Sequence, residues 1–228
     1  MAMRGLVIGL ALAALTAGAA QAADNTLTAA EKKAGWTLLF DGKDLTGWRG
    51  FKGEPKPGWT VKDGVLSPEG KASKDIISKG EFENFELDFD WKISPKGNSG
   101  VMYHVLEQGD ETYWSGPEYQ ILDNAHGEKP PQQAGSLFAL IPPSQDVTRP
   151  VGEFNHSRLV VDHGHVQHWM NGVKLLEYDL GSADFKAKVD ASKFRQWPIF
   201  ATGKTGHIAL QNHGDWVGFR NIKIHVLK

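Results

Sequence analysis

Phe85-Glu86-Leu87-Asp88-Phe89-Asp90-Trp91-Lys92-Ile93 is the most regular stretch of the chain. Apolar residues fall at every second position with charged ones between them, the period of an extended strand with one dry and one wet face. Pro95-Lys96-Gly97-Asn98 follows with turn chemistry, and Val101, Tyr103 and Val105 resume the alternation. The pattern predicts an antiparallel hairpin, with the second strand returning beside the first.

Further out the same period recurs. Residues 158–162 and 165–170 flank His163-Gly164, and Asn171-Gly172 leads into 173–178. Asn-Gly favours a type I′ turn because both central residues must take positive φ, so these segments read as a three-stranded meander. Residues 207–211 form another strand, and Ile222, Ile224 and Val226 alternate with polar residues up to the C-terminus. Only 28–33, opening on Thr28 with Glu31 three residues on, and 183–194 read as helical. Many short strands, turns rich in Gly, Pro and Asn, and no βαβ alternation predict an all-β antiparallel β-sandwich or jelly roll with one or two short helices. The irregular stretches 48–58, 107–116, 123–133 and 142–152 are long enough to be functional rims.

Residues 1–22 have the form of a cleavable export signal: Arg4, an apolar run from Leu6 to Leu15, and Ala20-Gln21-Ala22. A periplasmic or secreted product is expected, with residues 23–228 as a single domain. No later stretch reaches the roughly 20 apolar residues of a membrane-spanning helix. The chain has no cysteine, so a core of ordinary size has to carry stability without disulfides. Its formal charge is −2 with basic residues scattered, which disfavours nucleic acid as a partner. Eight Trp and eleven Phe suit both a sandwich core and stacking against sugar rings.

The candidate chemistry comes from side-chain parity. In Glu118-Tyr119-Gln120-Ile121-Leu122-Asp123, an extended chain points Glu118, Gln120 and Leu122 one way and Tyr119, Ile121 and Asp123 the other. His104, His168 and the set His207, Ala209 and Gln211 are read as lying opposite the apolar faces of their strands, so several strands offer polar groups to one hollow. His163 and His165 share a face that His168 does not, which argues against a three-histidine metal site. A weaker cation site from His126, Glu118, Asp123 and His213 stays open. The nucleophile elbow, the phosphate-binding loop, the dinucleotide fingerprint and H-E-x-x-H are missing from the sequence.

A series of strings, in order, carries a resemblance: Gly35-Trp36-Thr37-Leu38-Leu39-Phe40-Asp41-Gly42, Leu45-Thr46-Gly47-Trp48, Asn98-Ser99-Gly100-Val101, Gly116-Pro117-Glu118-Tyr119-Gln120, Ala134-Gly135-Ser136-Leu137, His168-Trp169-Met170-Asn171-Gly172, Ser192-Lys193-Phe194, the run from Gly206 to Gly214, and Phe219-Arg220-Asn221-Ile222. From about Gly35 onward the chain resembles the 3-keto-disaccharide hydrolase family. The resemblance implies a concanavalin A-like sandwich acting on glycosides already oxidised at carbon 3 by a separate sugar 3-dehydrogenase. It implies catalytic roles for Glu118, His168, His126 and His213, with Glu118 or His168 as base and His126 or His213 as acid or metal ligand. Substrate binding falls to His104, Gln120, Asp123, Gln211, Asn98 and Tyr103, and a divalent metal ion is possible. His104 stands where many relatives carry Arg, and Asn212 where Asp is usual. Two other classes compete: a carbohydrate-binding module without catalysis, and a conventional glycosidase pairing Glu118 with Asp123 or Glu153 at one of two characteristic carboxylate separations. A structural or adhesive role is disfavoured by the lack of repeats.

Overall fold

The computed structural model describes residues 23–55, 57–126 and 129–228. The export signal expected at 1–22 lies outside them. Two short helices, α1 (Ala29–Ala34) and α2 (Ala183–Asp190), accompany thirteen strands: β1 (Thr37–Leu38), β2 (Trp48–Gly50), β3 (Trp59–Lys62), β4 (Val65–Pro68), β5 (Ile76–Phe82), β6 (Phe85–Ile93), β7 (Asn98–Val105), β8 (Glu118–Leu122), β9 (Asn155–Asp162), β10 (His165–Met170), β11 (Val173–Asp179), β12 (Gly206–Leu210) and β13 (Val217–Val226). The larger sheet runs β11-β10-β9-β6-β13-β4-β3, with β1 also pairing β13, and the smaller runs β2-β5-β12-β7-β8. Both are antiparallel, and the molecule is the expected sandwich.

The sheets meet through their alternating apolar faces. Phe85, Leu87, Phe89, Trp91 and Ile93 of β6 enter one core with Val101 and Tyr103 of β7, Tyr119 and Ile121 of β8, and Ile208 and Leu210 of β12. The predicted 158–178 meander forms as β9-β10-β11, turning at His163-Gly164 and at Asn171-Gly172, where both residues of each pair have positive φ. α1 opens on a capping box between Thr28 and Glu31, and the 183–194 segment divides into α2 and a 3₁₀ turn over Lys193–Gln196.

One expectation is corrected. β6 and β7 do not pair: β6 lies between β9 and β13 in the larger sheet, and β7 between β12 and β8 in the smaller. The Pro95–Gly97 connection crosses from one layer to the other, held by Lys96 N–H donating to Asp123 Oδ2 (2.8 Å) and Asp123 N–H donating to the Gly97 carbonyl (3.0 Å). Alternation specifies which face of a strand is dry, and both strands satisfy it by burying their apolar faces toward each other across the core rather than side by side.

Candidate active site

The smaller sheet turns its second face to a set of loops, and the register of three strands lines up the polar residues there. Gln211, just past β12, donates its N–H to the Gly100 carbonyl (3.0 Å), and Gly100 is opposite Gln120 on β8. One row further along, Ala209, Met102 and Glu118 are in register. Tyr119 and Ile121 point into the core, so the parity expected of β8 holds from Glu118 to Ile121, whereas Leu122, expected beside Glu118 and Gln120, joins the core at the strand's end. Gly100 is the floor: a Cβ there would collide with the Glu118 carboxyl.

Glu118, Gln120 and Gln211 line a cavity of about 270 Å³ together with Asn98, Tyr113, Phe138, Lys193, Phe194, Trp197 and His213. The volume is near the lower end of ordinary ligand pockets, about 300 Å³. Ser192 caps the 3₁₀ turn that carries Lys193 and Phe194, its hydroxyl accepting from Phe194 N–H (3.1 Å). Trp197 packs edge-on against Tyr113 at 5.2 Å between ring centroids, and the Lys193 ammonium lies 4.5 Å from the Phe138 ring centre. The wall is therefore aromatic and the floor polar, the division that suits a sugar ring with apolar faces and a hydroxylated rim.

Glu118 is buried, and its carboxyl is pushed up to about 8, first by loss of water and then by the charge of Asp75, with Lys193 pulling the other way. It thus holds a proton near neutrality and can exchange it in that range. Asp75 precedes β5 and is also raised by burial; Thr112 Oγ1 and Asn212 N–H donate to its two oxygens. Gln120 Nε2 donates to Asn98 Oδ1 (3.0 Å), which leaves Gln120 Oε1 and Gln211 Oε1 as buried acceptors without a donor. Such an oxygen loses its water on folding, so a ligand hydroxyl that donates to it recovers the lost bond.

The other expected site residues lie elsewhere. His168 shares parity with Val166 and Met170, not with a wet face, and is buried in the core. Its Nδ1–H donates to the Gly135 carbonyl (3.1 Å), its ring lies 4.8 Å from that of Tyr119, and burial pulls it down to about 4. Tyr103 is also a core residue, bonded through its hydroxyl to Tyr178. His104, at φ 52° and held by the Glu83 carbonyl, lines a separate cavity near the far end of β7. Asp123 accepts from the 96 and 125 backbone and sits 3.3 Å from His126. Asp123 and Glu153 line a third cavity, with Trp91 and Arg149.

Consequently Glu118 shares its cavity with neither Asp123 nor Glu153, the pairs a conventional glycosidase would have used. The four residues considered for a cation are split between two places, Glu118 and His213 at one and Asp123 and His126 at the other, and among the described residues no cluster of three metal-ligating side chains occurs. That set does not fit a metal centre. Sequence reasoning missed Asp75, Tyr113, Phe138, Lys193 and Trp197. Lys193 stood within a string already singled out, whereas Asp75, just ahead of β5, acts on Glu118 through its charge, which no local pattern records.

A two-layer antiparallel sandwich with a proton-exchanging carboxyl under an aromatic, hydroxyl-accepting hollow belongs to the carbohydrate-handling sandwiches. The model of the 3-keto-alpha-glucoside-1,2-lyase-like domain matches residues 35–225, and the chain belongs to that family of carbohydrate-cleaving enzymes. A 3-keto-disaccharide hydrolase from Bacteroides thetaiotaomicron is 35% identical, over 85% of this chain and 79% of that one. A crystal structure of a candidate glycosyl hydrolase from Parabacteroides distasonis superposes with a TM-score of 0.86 at 38% identity, covering 90% of this chain and 100% of that one. A galectin-like protein from Bacillus subtilis, 12% identical with a TM-score of 0.51 over 83% of this chain and 94% of that one, shares the fold alone.

Proposed function

We propose that this protein cleaves 3-keto-glycosides by elimination followed by hydration. A ketone at ring carbon 3 acidifies the hydrogen on carbon 2. Glu118, as carboxylate, removes that proton, and the C–H electron pair moves into the enolate. Collapse of the enolate restores the ketone, forms the carbon 1–carbon 2 double bond and breaks the bond to the glycosidic oxygen, which takes up a proton. Addition of water, hydroxyl to carbon 1 and hydrogen to carbon 2, completes a net hydrolysis. This path avoids the oxocarbenium-like state that a two-carboxylate glycosidase stabilises.

The observation that carries the reading is Glu118 itself: a buried carboxyl, the one among the described residues lining its cavity, raised to about 8, beneath two unfilled amide acceptors. A carbon acid calls for a base stronger than an ordinary carboxylate, and the raised value supplies it. Lys193, on the same wall, is placed to favour the negative charge that grows on the ketone oxygen. His213 on the rim is the acid for the leaving oxygen. His168, dry in the core, has no part. The matching family and the B. thetaiotaomicron relative support the substrate class. The leader-like residues 1–22 support action in the periplasm or outside the cell, downstream of a sugar 3-dehydrogenase that supplies the ketone.

The test is turnover of 3-keto-trehalose and 3-keto-lactose, followed by release of glucose together with 3-keto-glucose from the first and 3-keto-galactose from the second. Glu118→Gln, which cannot accept the proton, is expected to lower kcat by at least about 10²-fold, the usual worth of a positioned base. Undiminished turnover by that variant would remove the mechanism, and saturable binding of unoxidised sugars with no product from the wild type would leave a binding module.

A further inference from the structure

We infer that the open basin beside the Glu118 cavity is the seat of the leaving group, and that it selects polyol leaving groups over aryl ones; this rests on the proposed reaction. The Glu118 cavity, about 270 Å³, has room for one sugar ring. Next to it lies a basin of about 660 Å³. His213 lines both. A glycoside whose oxidised ring sits over Glu118 therefore passes its glycosidic oxygen beside His213 and extends its other half into the basin.

The lining of the basin defines what that half is. Among the described residues Phe51 is its one Phe, Tyr or Trp; besides Asn212, His213 and Gly214 the remainder is ionic or hydroxylic, with Lys71 and Lys74 as well as Asp110 and Glu111 in the lining. Lys52 is already committed to Asp110 (3.1 Å). Charges of both signs around one hollow can accept from and donate to hydroxyl groups at once, whereas an aryl group would find no stacking wall comparable to the Tyr113, Phe138 and Trp197 side of the first cavity. The basin is also built rather than incidental. Asn212, next to His213, donates its backbone N–H to Asp75 (2.9 Å) and its side-chain amide to the carbonyls of Gly70 (3.1 Å) and Ser73 (2.8 Å), so one residue ties the Lys71–Lys74 loop to the shared boundary. That use of the amide gives Asn212 a function that an acidic residue in its place could not serve, since a carboxylate has no N–H to donate.

The test compares a disaccharide with a one-ring substrate. Lys71 and Lys74 are exposed, so Lys71→Ala/Lys74→Ala should fold. Its KM for 3-keto-trehalose is expected to rise about 5- to 20-fold, while kcat/KM for methyl 3-keto-glucoside, which has nothing to place in the basin, stays within twofold. The wild type should prefer 3-keto-trehalose to a phenyl 3-keto-glucoside in KM. Calorimetric titration with unoxidised trehalose and methyl glucoside repeats the comparison without chemistry. Equal effects of the double variant on both ligands, or none on either, would overturn the subsite even with turnover intact. Loss of turnover on every 3-keto-glycoside with the trehalose preference retained would instead count against the reaction.

Discussion

At the scale of single residues, Glu118 ties activity to stability. Its carboxyl is near 8 in the folded protein against an ordinary value of 4.5. Between those values the native state holds a proton that the unfolded chain releases, so stability falls as pH rises through this window and levels off above it. At full ionisation the loss is a few kcal/mol, at about 1.4 kcal/mol per tenfold change. Glu118→Gln removes the ionisation, so its melting temperature should exceed that of the wild type at pH 8.5 and match it at pH 4.5; a difference of equal size at both values would disprove the burial argument. For the wild type, kcat/KM should rise with pH to an inflection near 8, the form expected when the carboxylate is the base. Asp75→Asn removes one of the two influences holding Glu118 up, and the inflection should move to lower pH. Parity alone had put Glu118 and Gln120 on one face and Gln211 on a face opposite the Ile208 and Leu210 set, and all three line one cavity. Parity also contained the warning about His168, which falls in step with Val166 and Met170. What it could not contain was Asp75, 43 positions away in sequence from Glu118 and felt by it through space.

At the scale of elements, the decisive strand is β7, buried along nearly its whole length on both faces, whereas β6 alternates buried and half-buried residues. Its alternation was legible in the sequence, but its neighbours were not. A turn of hairpin length joins two sheets here because the 95–97 backbone is held by Asp123. Crossing between layers is what puts Gly100 under Glu118. Its φ is not in the left-handed region, so the backbone would accept alanine, and the obstacle is the carboxyl a new methyl would strike. Gly100→Ala should therefore keep the far-UV circular dichroism of the wild type and lose about 1–3 kcal/mol to overpacking. Its kcat/KM should fall by about 10²-fold because a displacement near 1 Å suffices for that. Wild-type activity in this variant would mean that Glu118 has room to spare and that its position does not govern the reaction. The four long irregular stretches divide between two places: Phe51, Lys52, Glu54, Asp110 and Glu111 border the basin, while residues from 123–125 and 146–153 border the cavity of Asp123 and Glu153.

At the scale of the whole molecule, the site depends on how firmly two sheets without a disulfide are held face to face. Besides apolar contact and the Tyr103–Tyr178 hydroxyl bond, a chain of hydrogen bonds crosses the core. Trp91 Nε1–H donates to Ser157 Oγ (2.9 Å), Ser157 to Tyr119 OH (2.9 Å), and Tyr119 to the Trp169 carbonyl (3.0 Å). Trp91, Ser157 and Trp169 belong to the larger sheet, and Tyr119 to the strand between Glu118 and Gln120 in the smaller. Removing a middle member strands a buried donor, which costs about 1–3 kcal/mol. Ser157→Ala and Tyr119→Phe should each lower the midpoint of denaturant unfolding by a corresponding amount. Because both break the same chain, the double variant should lose about 0.5–3 kcal/mol less than the sum. Reductant should move none of the midpoints, as the chain has no cysteine. If the two substitutions add without coupling, the three bonds do not act as one chain. Equal unfolding slopes in all four proteins would show that the comparison is between like native states. Under coupling, the cost should appear in stability, while the Glu118 pH inflection stays in place, because burial and Asp75 set that value and neither belongs to the hydrogen-bonded chain.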